Sequence, residues 1–314
     1  MNRLNYFYAL SLNKNYWVNL MSVLVSVLIP SYNHAKFIVA CLDSVCSQNV
    51  KDLEVIVIDD GSKDDSVRVI KNYIEKNNHT HITLIHRENR GLCRTLNEGL
   101  ALAKGKFLAV IASDDYMLEG RLEAQVNYLE ENTNSAGCFG GVLLVDKSGL
   151  SIGKYGNRKA KYTFDDIFYR QSSLPTPTAL IRTELLREVG GYSEIFKIED
   201  FNMWLKLTES GKTLDNIGGY LCGYRQHESN MSSKDEFMWL ETKKIIDQYM
   251  KRKGYKKALG RTMYILSIDL SQVNIKKSAK YLLSSMLVYP GGVIDFRFYR
   301  TLLILLMSLL KVKK

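Results

Sequence analysis

Four apolar runs separated by amphipathic segments constrain the fold of this chain more than any other feature. Val23 to Ile29 (VLVSVLI) is a β-branched run stopped by Pro30, and Leu53 to Ile58 (LEVIVI) is stopped by Asp59-Asp60-Gly61-Ser62. Two more runs lie around Ile82 to Ile85 and from Phe107 to Ile111. Continuous apolar strands of this kind are buried on both faces, as in parallel sheets. The intervening segments, about 35–48, 64–77 and 92–103, repeat with helical spacing, as at Phe37, Ile38, Cys41, Leu42 and Val45. Strand, helix, strand in series predicts right-handed crossovers. The expected class is therefore α/β, a Rossmann-like, mainly parallel sheet flanked by helices.

Such sheets bind ligands beyond the carboxyl ends of their strands. Those ends carry Pro30-Ser31-Tyr32-Asn33, Asp59-Asp60-Gly61-Ser62 and Ser113-Asp114-Asp115. Three polar strand ends on one sheet edge predict a site there. Further along, helices are expected near 119–131, 183–189 and 199–210, with strands near 139–145 and 220–226. From 236 onward a helical appendage is expected, with helices over 236–253, 257–271, 275–288 and 295–311 and a break at Pro290-Gly291-Gly292.

Charge separates the two parts. Residues 241–314 hold 16 Lys or Arg against 4 Asp or Glu, a net of +12 within a total of +10, which leaves −2 for residues 1–240. No recognisable nucleic-acid module accompanies the basic tail, so nucleic acid is not an expected partner. Anionic lipid headgroups are, because Phe296, Phe298, Tyr299, Leu302, Leu303, Leu305, Leu306, Leu309 and Leu310 stand among those cations. No run reaches the roughly 18 apolar residues of a membrane-spanning helix. Residues 1–20 lack the apolar stretch and cleavage site of a signal peptide and are expected to be an extension. The expected location is the cytoplasmic face of the plasma membrane, bound peripherally. The five cysteines, Cys41, Cys46, Cys93, Cys138 and Cys222, never form a CxxC pair and suggest neither a disulfide framework nor a zinc site.

The acidic strand ends allow two readings each. Adjacent carboxylates after a buried strand repel unless a cation or donors neutralise them, and a hard divalent ion suits Asp114 and Asp115. A solvated turn capping the next helix would use the same residues. At Asp59-Asp60-Gly61, either a carboxylate accepts the imide N–H of a base for which Gly61 leaves room, or the segment is a strand-to-helix turn. Glu199 and Asp200 could simply complement the N-terminus of their helix. No GxGxxG follows an early strand, which argues against a nicotinamide dehydrogenase, and no Gly-rich phosphate loop with a basic residue follows the first strand.

In order, Pro30-Ser31-Tyr32-Asn33, Asp59-Asp60-Gly61-Ser62-Lys63-Asp64, Glu88-Asn89-Arg90-Gly91, Asn97-Glu98-Gly99, Ala103-Lys104-Gly105 and Ser113-Asp114-Asp115 form a series. That series closely resembles the family 2 glycosyltransferases of the GT-A fold, over about Val23 to Ser232. The resemblance implies a GT-A domain over 21–235, with a nucleotide part over about 21–116 and an acceptor part over about 117–235, followed by a basic helical region over 236–314. It implies an inverting enzyme that takes a sugar from a nucleotide diphosphate, expected to be a UDP-sugar, to a glycan or lipid-linked acceptor in surface-polysaccharide synthesis. Pro30, Tyr32, Asn33, Asp60, Gly61 and Asp114 would form the nucleotide site. Asp114 and Asp115 would hold Mn²⁺ or Mg²⁺, with His227 near the metal or diphosphate and Arg225 near the diphosphate. The common Asp-x-Asp-Asp form is shortened here, because Ala112 takes the leading position. Glu199 and Asp200 match the family's catalytic Glu-Asp pair, with Asp200 as the base.

Overall fold

The computed structural model describes residues 23–226, 235–271 and 273–294, together with 299 and 302. The chain divides into two compact units. The first comprises residues up to Lys161, Ser173–Tyr192 and Lys212–Gln226; the second comprises Tyr162–Ser172, Ser193–Gly211 and residues from His227 onward.

The first unit is built on the predicted alternation. Strand β1 (Val25–Ser31) leads to α1 (Ile38–Cys46), β2 (Leu53–Asp59), α2 (Ser66–Asn77), β3 (Ile82–His86), α3 (Leu92–Leu102) and β4 (Phe107–Val110). All four strands are parallel, in the spatial order β3-β2-β1-β4. Val25, Val27, Leu28, Ile29, Val55, Val57, Ile58 and Phe107 are fully buried, so both sheet faces are covered. Helix α3 lies close on β1 because Gly99 has no side chain: a Cβ there would stand 2.3 Å from Leu28 Cδ1.

Register then sets the site. Ser31 pairs with Asp59, and Asp59 with His86, so the carboxyl ends of β1, β2 and β3 stand in one row. The β1–β4 pairing runs to Leu28 opposite Val110. Past it, Ile111 N donates to Leu28 O (3.1 Å), and the chain then turns through Ser113 and Asp114.

Beyond β4 the sheet becomes mixed. Strands β5 (Tyr116–Met117), β6 (Ser135–Val145), β7 (Ser151–Tyr155), β8 (Ala160–Tyr162), β9 (Leu180–Arg182) and β10 (Thr213–Arg225) extend it in the order β4-β9-β6-β10-β5. β9 is antiparallel to both β4 and β6, β5 to β10, and β7 to β6, while β10 runs parallel to β6. The parallel architecture expected from the sequence thus holds for the first four strands and returns in the long β6–β10 pair, with β5, β7 and β9 as short antiparallel additions. Helices α4 (Arg121–Glu131) and α6 (Thr183–Glu188) complete the described first unit.

The second unit is helical. Its first helix, α5 (Phe164–Phe168), starts at a capping box: Thr163 Oγ1 accepts from Asp166 N, and Asp166 Oδ2 accepts from Thr163 N. It contains α7 (Glu199–Glu209), α8 (Asp235–Asp247), α9 (Tyr255–Leu270) and α10 (Ile275–Val288). Lys197 N donates to Glu241 Oε2 (2.9 Å), and Ser267 and Ser278 each donate a hydroxyl to the other's carbonyl (2.9 and 2.6 Å). Tyr249 packs edge-on against Phe164 and Phe168. The basic helices from 235 onward therefore share one unit with two segments from mid-sequence. Most of the predicted helix over 295–311 lies outside the described residues, as does residue 227. Among the described residues no helix is long and apolar enough to cross a membrane.

Candidate active site

The Asp59-Asp60-Gly61-Ser62 turn leaves β2 already tightly bonded. Asp59 is fully buried and accepts from Ser62 N (2.9 Å) and Ser62 Oγ (2.6 Å), with His86 Nδ1 3.0 Å away. Asp60 Oδ1 accepts from Arg87 Nη1 and from Arg90 N (2.8 Å), and Asp60 Oδ2 from Gly91 N (2.9 Å). Arg87 is fixed in turn by Glu98 Oε2 (2.7 Å) and Thr95 Oγ1 (2.9 Å). Three of the roughly four acceptor positions of the Asp60 carboxylate are therefore used inside the protein.

Two expectations change here. Gly61 does not leave open space for a base. A Cβ on it would stand 2.7 Å from Asn89 N and 3.1 Å from Arg87 O, so its missing side chain admits the 87–89 backbone, at φ +77°. Asn33 has φ +57° and spends its groups on the neighbouring turn: its N–H donates to Ser62 Oγ (2.8 Å), and its Oδ1 accepts from Lys63 N (2.7 Å). Both residues shape the loops of the site. Pro30 lies within β1 opposite Ile58, and Tyr32 projects from the strand end, 45% exposed.

The Ser113-Asp114-Asp115 turn follows β4. Asp115 is 1% exposed. Its Oδ1 accepts from Arg225 N (2.8 Å), and its Oδ2 is buried with no hydrogen-bond partner. Burial first, and then the adjacent Asp114 carboxylate, push the Asp115 carboxyl well above the usual carboxylate range. A buried, orphaned carboxylate oxygen beside a second carboxylate is short of one positive ligand. A hard divalent ion fits that deficit, and Asp114 and Asp115 would hold it.

Residues around this turn include two that the sequence reading did not select. His34 Nδ1 lies 2.8 Å from Ser113 Oγ and 3.7 Å from Asp114 Oδ1, and its N–H donates to Ser66 Oγ (3.0 Å). Arg121, 0% exposed, donates to Gln125 Oε1, Pro177 O and Ala179 O and lies close enough to draw the Asp115 carboxyl back down. His34 directly follows the Pro-Ser-Tyr-Asn motif, a signal that could have found it; Arg121 had none. Arg225, expected near a diphosphate, is instead a prop: Nε donates to Asp114 O (2.9 Å) and Nη1 to the carbonyls of Asp146 and Lys147 (3.0 Å each). Its guanidinium lies 4.7 Å from the Phe37 ring centroid.

The second acidic pair stands in the other unit. Glu199 and Asp200 occupy the first turn of α7, and no side chain caps that helix at Ile198. Asp200 Oδ1 accepts from Phe201 N (2.5 Å). Burial, and then the Asp200 charge, push the Glu199 carboxyl up to about 7. Arg170, at φ +55°, lies over the Phe201 ring at 4.7 Å, and its half-buried cation is drawn by the Asp200 and Asp269 carboxylates.

The sequence pattern of the family described as Glycosyl transferase family 2 matches residues 26–190, a stretch that takes in the row of strand ends and the Ser113-Asp114-Asp115 turn. The chain belongs to that family. The proposed teichuronic acid biosynthesis glycosyltransferase TuaG of Bacillus subtilis is 28% identical over 221 residues, covering 70% of this chain and 85% of TuaG. Three further curated relatives are matched over 70%, 59% and 34% of their own lengths. Among solved structures, S. aureus TarS 1-349 in complex with UDP-GlcNAc is similar with a TM-score of 0.62 at 19% identity, over 86% of this chain and 82% of TarS. The mannosyltransferase PcManGT of Pyrobaculum calidifontis, in complex with GDP-Man and Mn²⁺, gives 0.59 at 17% identity, over 92% of this chain and 88% of PcManGT. These glycosyltransferases share the GT-A fold with this chain.

Proposed function

We propose that this glycosyltransferase moves a sugar from a UDP-sugar to a glycan or lipid-linked acceptor during cell-surface polysaccharide assembly, with inversion at the anomeric carbon. The observation that carries this reading is the Asp114–Asp115 turn, whose orphaned Oδ2 calls for a cation at the sheet edge where the family binds its donor. Support for a nucleotide diphosphate donor comes from TarS with UDP-GlcNAc and PcManGT with GDP-Man. Support for a surface polysaccharide comes from the assignment of TuaG.

Asp114 and Asp115 would hold Mn²⁺ or Mg²⁺, which when bound neutralises charge on the departing diphosphate. Arg225 holds the acidic turn in place, with its N–H on Asp115 and its Nε on Asp114 O, while the buried Arg121 cation acts on Asp115 through its charge. The exposed Tyr32 ring offers a face to the nucleobase, and Asp60 retains one lone pair for an imide N–H. Asp200 serves as the base that takes the acceptor hydroxyl proton as that oxygen attacks the sugar from the face opposite the diphosphate. Single displacement inverts the centre, by way of an oxocarbenium-like transition state.

The test is a screen of sugar nucleotides with Mn²⁺, reading release of nucleoside diphosphate. UDP released from a UDP-sugar is the expected result. Preference for a GDP-sugar would overturn the choice of base, and no release from any donor would overturn the transferase reading itself.

Peripheral attachment to the cytoplasmic membrane face belongs to the same proposal. Its support is the net +12 of residues 241–314 and α10, which carries Lys276, Lys277 and Lys280 and leaves Leu283 and Leu287 exposed. Flotation with anionic vesicles at low salt is expected, and failure to float would remove the attachment.

A further inference from the structure

One cluster of side chains plays no part in the proposed transfer. Cys46 ends α1, and His79 and His81 lie between α2 and β3. Their ligand atoms all stand within 4.8 Å of one another, with Cys46 Sγ 3.8 Å from His81 Nε2. Tetrahedral zinc, with bonds of about 2.3 Å to sulfur and about 2.0 Å to nitrogen, needs ligand separations of roughly 3.3–3.6 Å. The sulfur–nitrogen pair is already near that spacing, and the remaining contraction is within reach of side-chain rotation. From this geometry we propose that Cys46, His79 and His81 form a binding site for a zinc-type divalent ion.

The backbone holds the three groups ready. Asn78 turns the chain at φ +50° as α2 ends. His79 N then donates to Ile74 O (3.2 Å) and Ile82 N to His79 O (3.3 Å), while His81 O accepts from Val55 N (3.0 Å). The two imidazoles meet edge-on at 5.1 Å and an interplanar angle of 79°. His79 stacks on Tyr73 at 5.4 Å, and Tyr73 Oη donates to Asp43 Oδ1 (2.8 Å), which fixes the ring against which His79 rests. All three ligand residues are partly exposed, so an ion can reach them from solvent.

The ligand chemistry selects the ion. Thiolate and imidazole suit Zn²⁺ and its cobalt surrogate, whereas Mg²⁺ and Mn²⁺ prefer the oxygens of the acidic turn. Three protein ligands leave a fourth position for water. The site is also separate in space. β3 runs from Ile82 to His86, which belongs to the row of strand ends, so about 16 Å of strand divides His81 from that row. A metal here would tie the end of α1 to the start of the edge strand β3.

Metal-stripped full-length protein titrated with Co²⁺ tests the proposal without any variant. One equivalent should give visible bands of tetrahedral cobalt and a near-ultraviolet sulfur-to-cobalt transition, and Zn²⁺ should displace both. Cys46→Ser and His81→Ala, made separately and checked for folding by circular dichroism, should each weaken Zn²⁺ binding by about 100-fold or more in calorimetry. Asp115→Asn should leave the sulfur–cobalt band unchanged. Absence of that band in the wild type, or Zn²⁺ affinity in both ligand variants equal to that of the wild type, would overturn the site.

Discussion

Two pairs of adjacent carboxylates sit in different physical settings, Asp114–Asp115 at a strand end and Glu199–Asp200 at a helix start. The strand-end pair is enclosed. Asp115 has one oxygen on a backbone N–H and the other on nothing, and a buried guanidinium, Arg121, lies close by. The helix-start pair is placed among α7 N–H groups, with the Arg170 cation near Asp200 and with Glu199 titrating near neutrality. The same two-residue pattern therefore meets its self-repulsion in two ways. In the first pair one buried oxygen, Asp115 Oδ2, has no protein donor, and the second pair can share a proton. Under the proposed function the first pair would hold the metal and the second would move the proton.

The largest effect should come from removing the cation's ligand. Asp115→Asn, or EDTA on the wild type, is expected to lower turnover at least about 100-fold, the scale of losing stabilisation of the leaving group. In chelator the same variant should be no less stable than wild type, because an uncompensated buried charge has gone. Full activity in EDTA would erase the distinction between the pairs.

Next in size is Asp200→Asn. Donor binding should stay near wild type while turnover falls about 100-fold, since proton removal alone is lost. Weakened donor binding with turnover intact would make Asp200 a helix-terminus residue and nothing more.

The smallest effect sharpens the contrast through pH. Glu199 has its folded value raised from 4.5 to about 7, so the folded state holds the proton more tightly than the unfolded chain does. That stabilisation is complete below about pH 4.5 and is lost as pH rises through 7. Between pH 5 and 8 the wild type should lose about 2 kcal/mol that Glu199→Gln does not lose, measured by urea unfolding. Parallel pH profiles for the two proteins would contradict the assignment.

Much of the first unit was legible in its sequence because buried parallel strands are continuous apolar runs, and β1 to β4 appear where those runs lie. Of the later strands, β6 and β10 were expected in part, near 139–145 and 220–226, and β5, β7, β8 and β9 escaped for a physical reason. β5 has two residues and β9 three, too few to show a period, and β9 exists because β4 and β6 both need a neighbour. At the site, residue types announced Asp114, Asp115 and Tyr32, but not which oxygen was satisfied. Asp60 and Asn33 looked available because their partners, Arg87 and Lys63, are joined to them only by the fold. The same holds for Cys46, which no spacing connects to His79 and His81. His227 lies outside the described residues, and the structure places no role on it.

The in-phase register of Ser31, Asp59 and His86 has a consequence for how such a site can diversify. Strand ends held level work like pegs on a common rail: each loop beyond them can lengthen, shorten or change composition without shifting its neighbours. A single residue inserted within a strand is another matter, since it would turn every later side chain in that strand to the opposite face. Variation in donor and acceptor preference is thereby channelled into the loops, while strand length stays fixed.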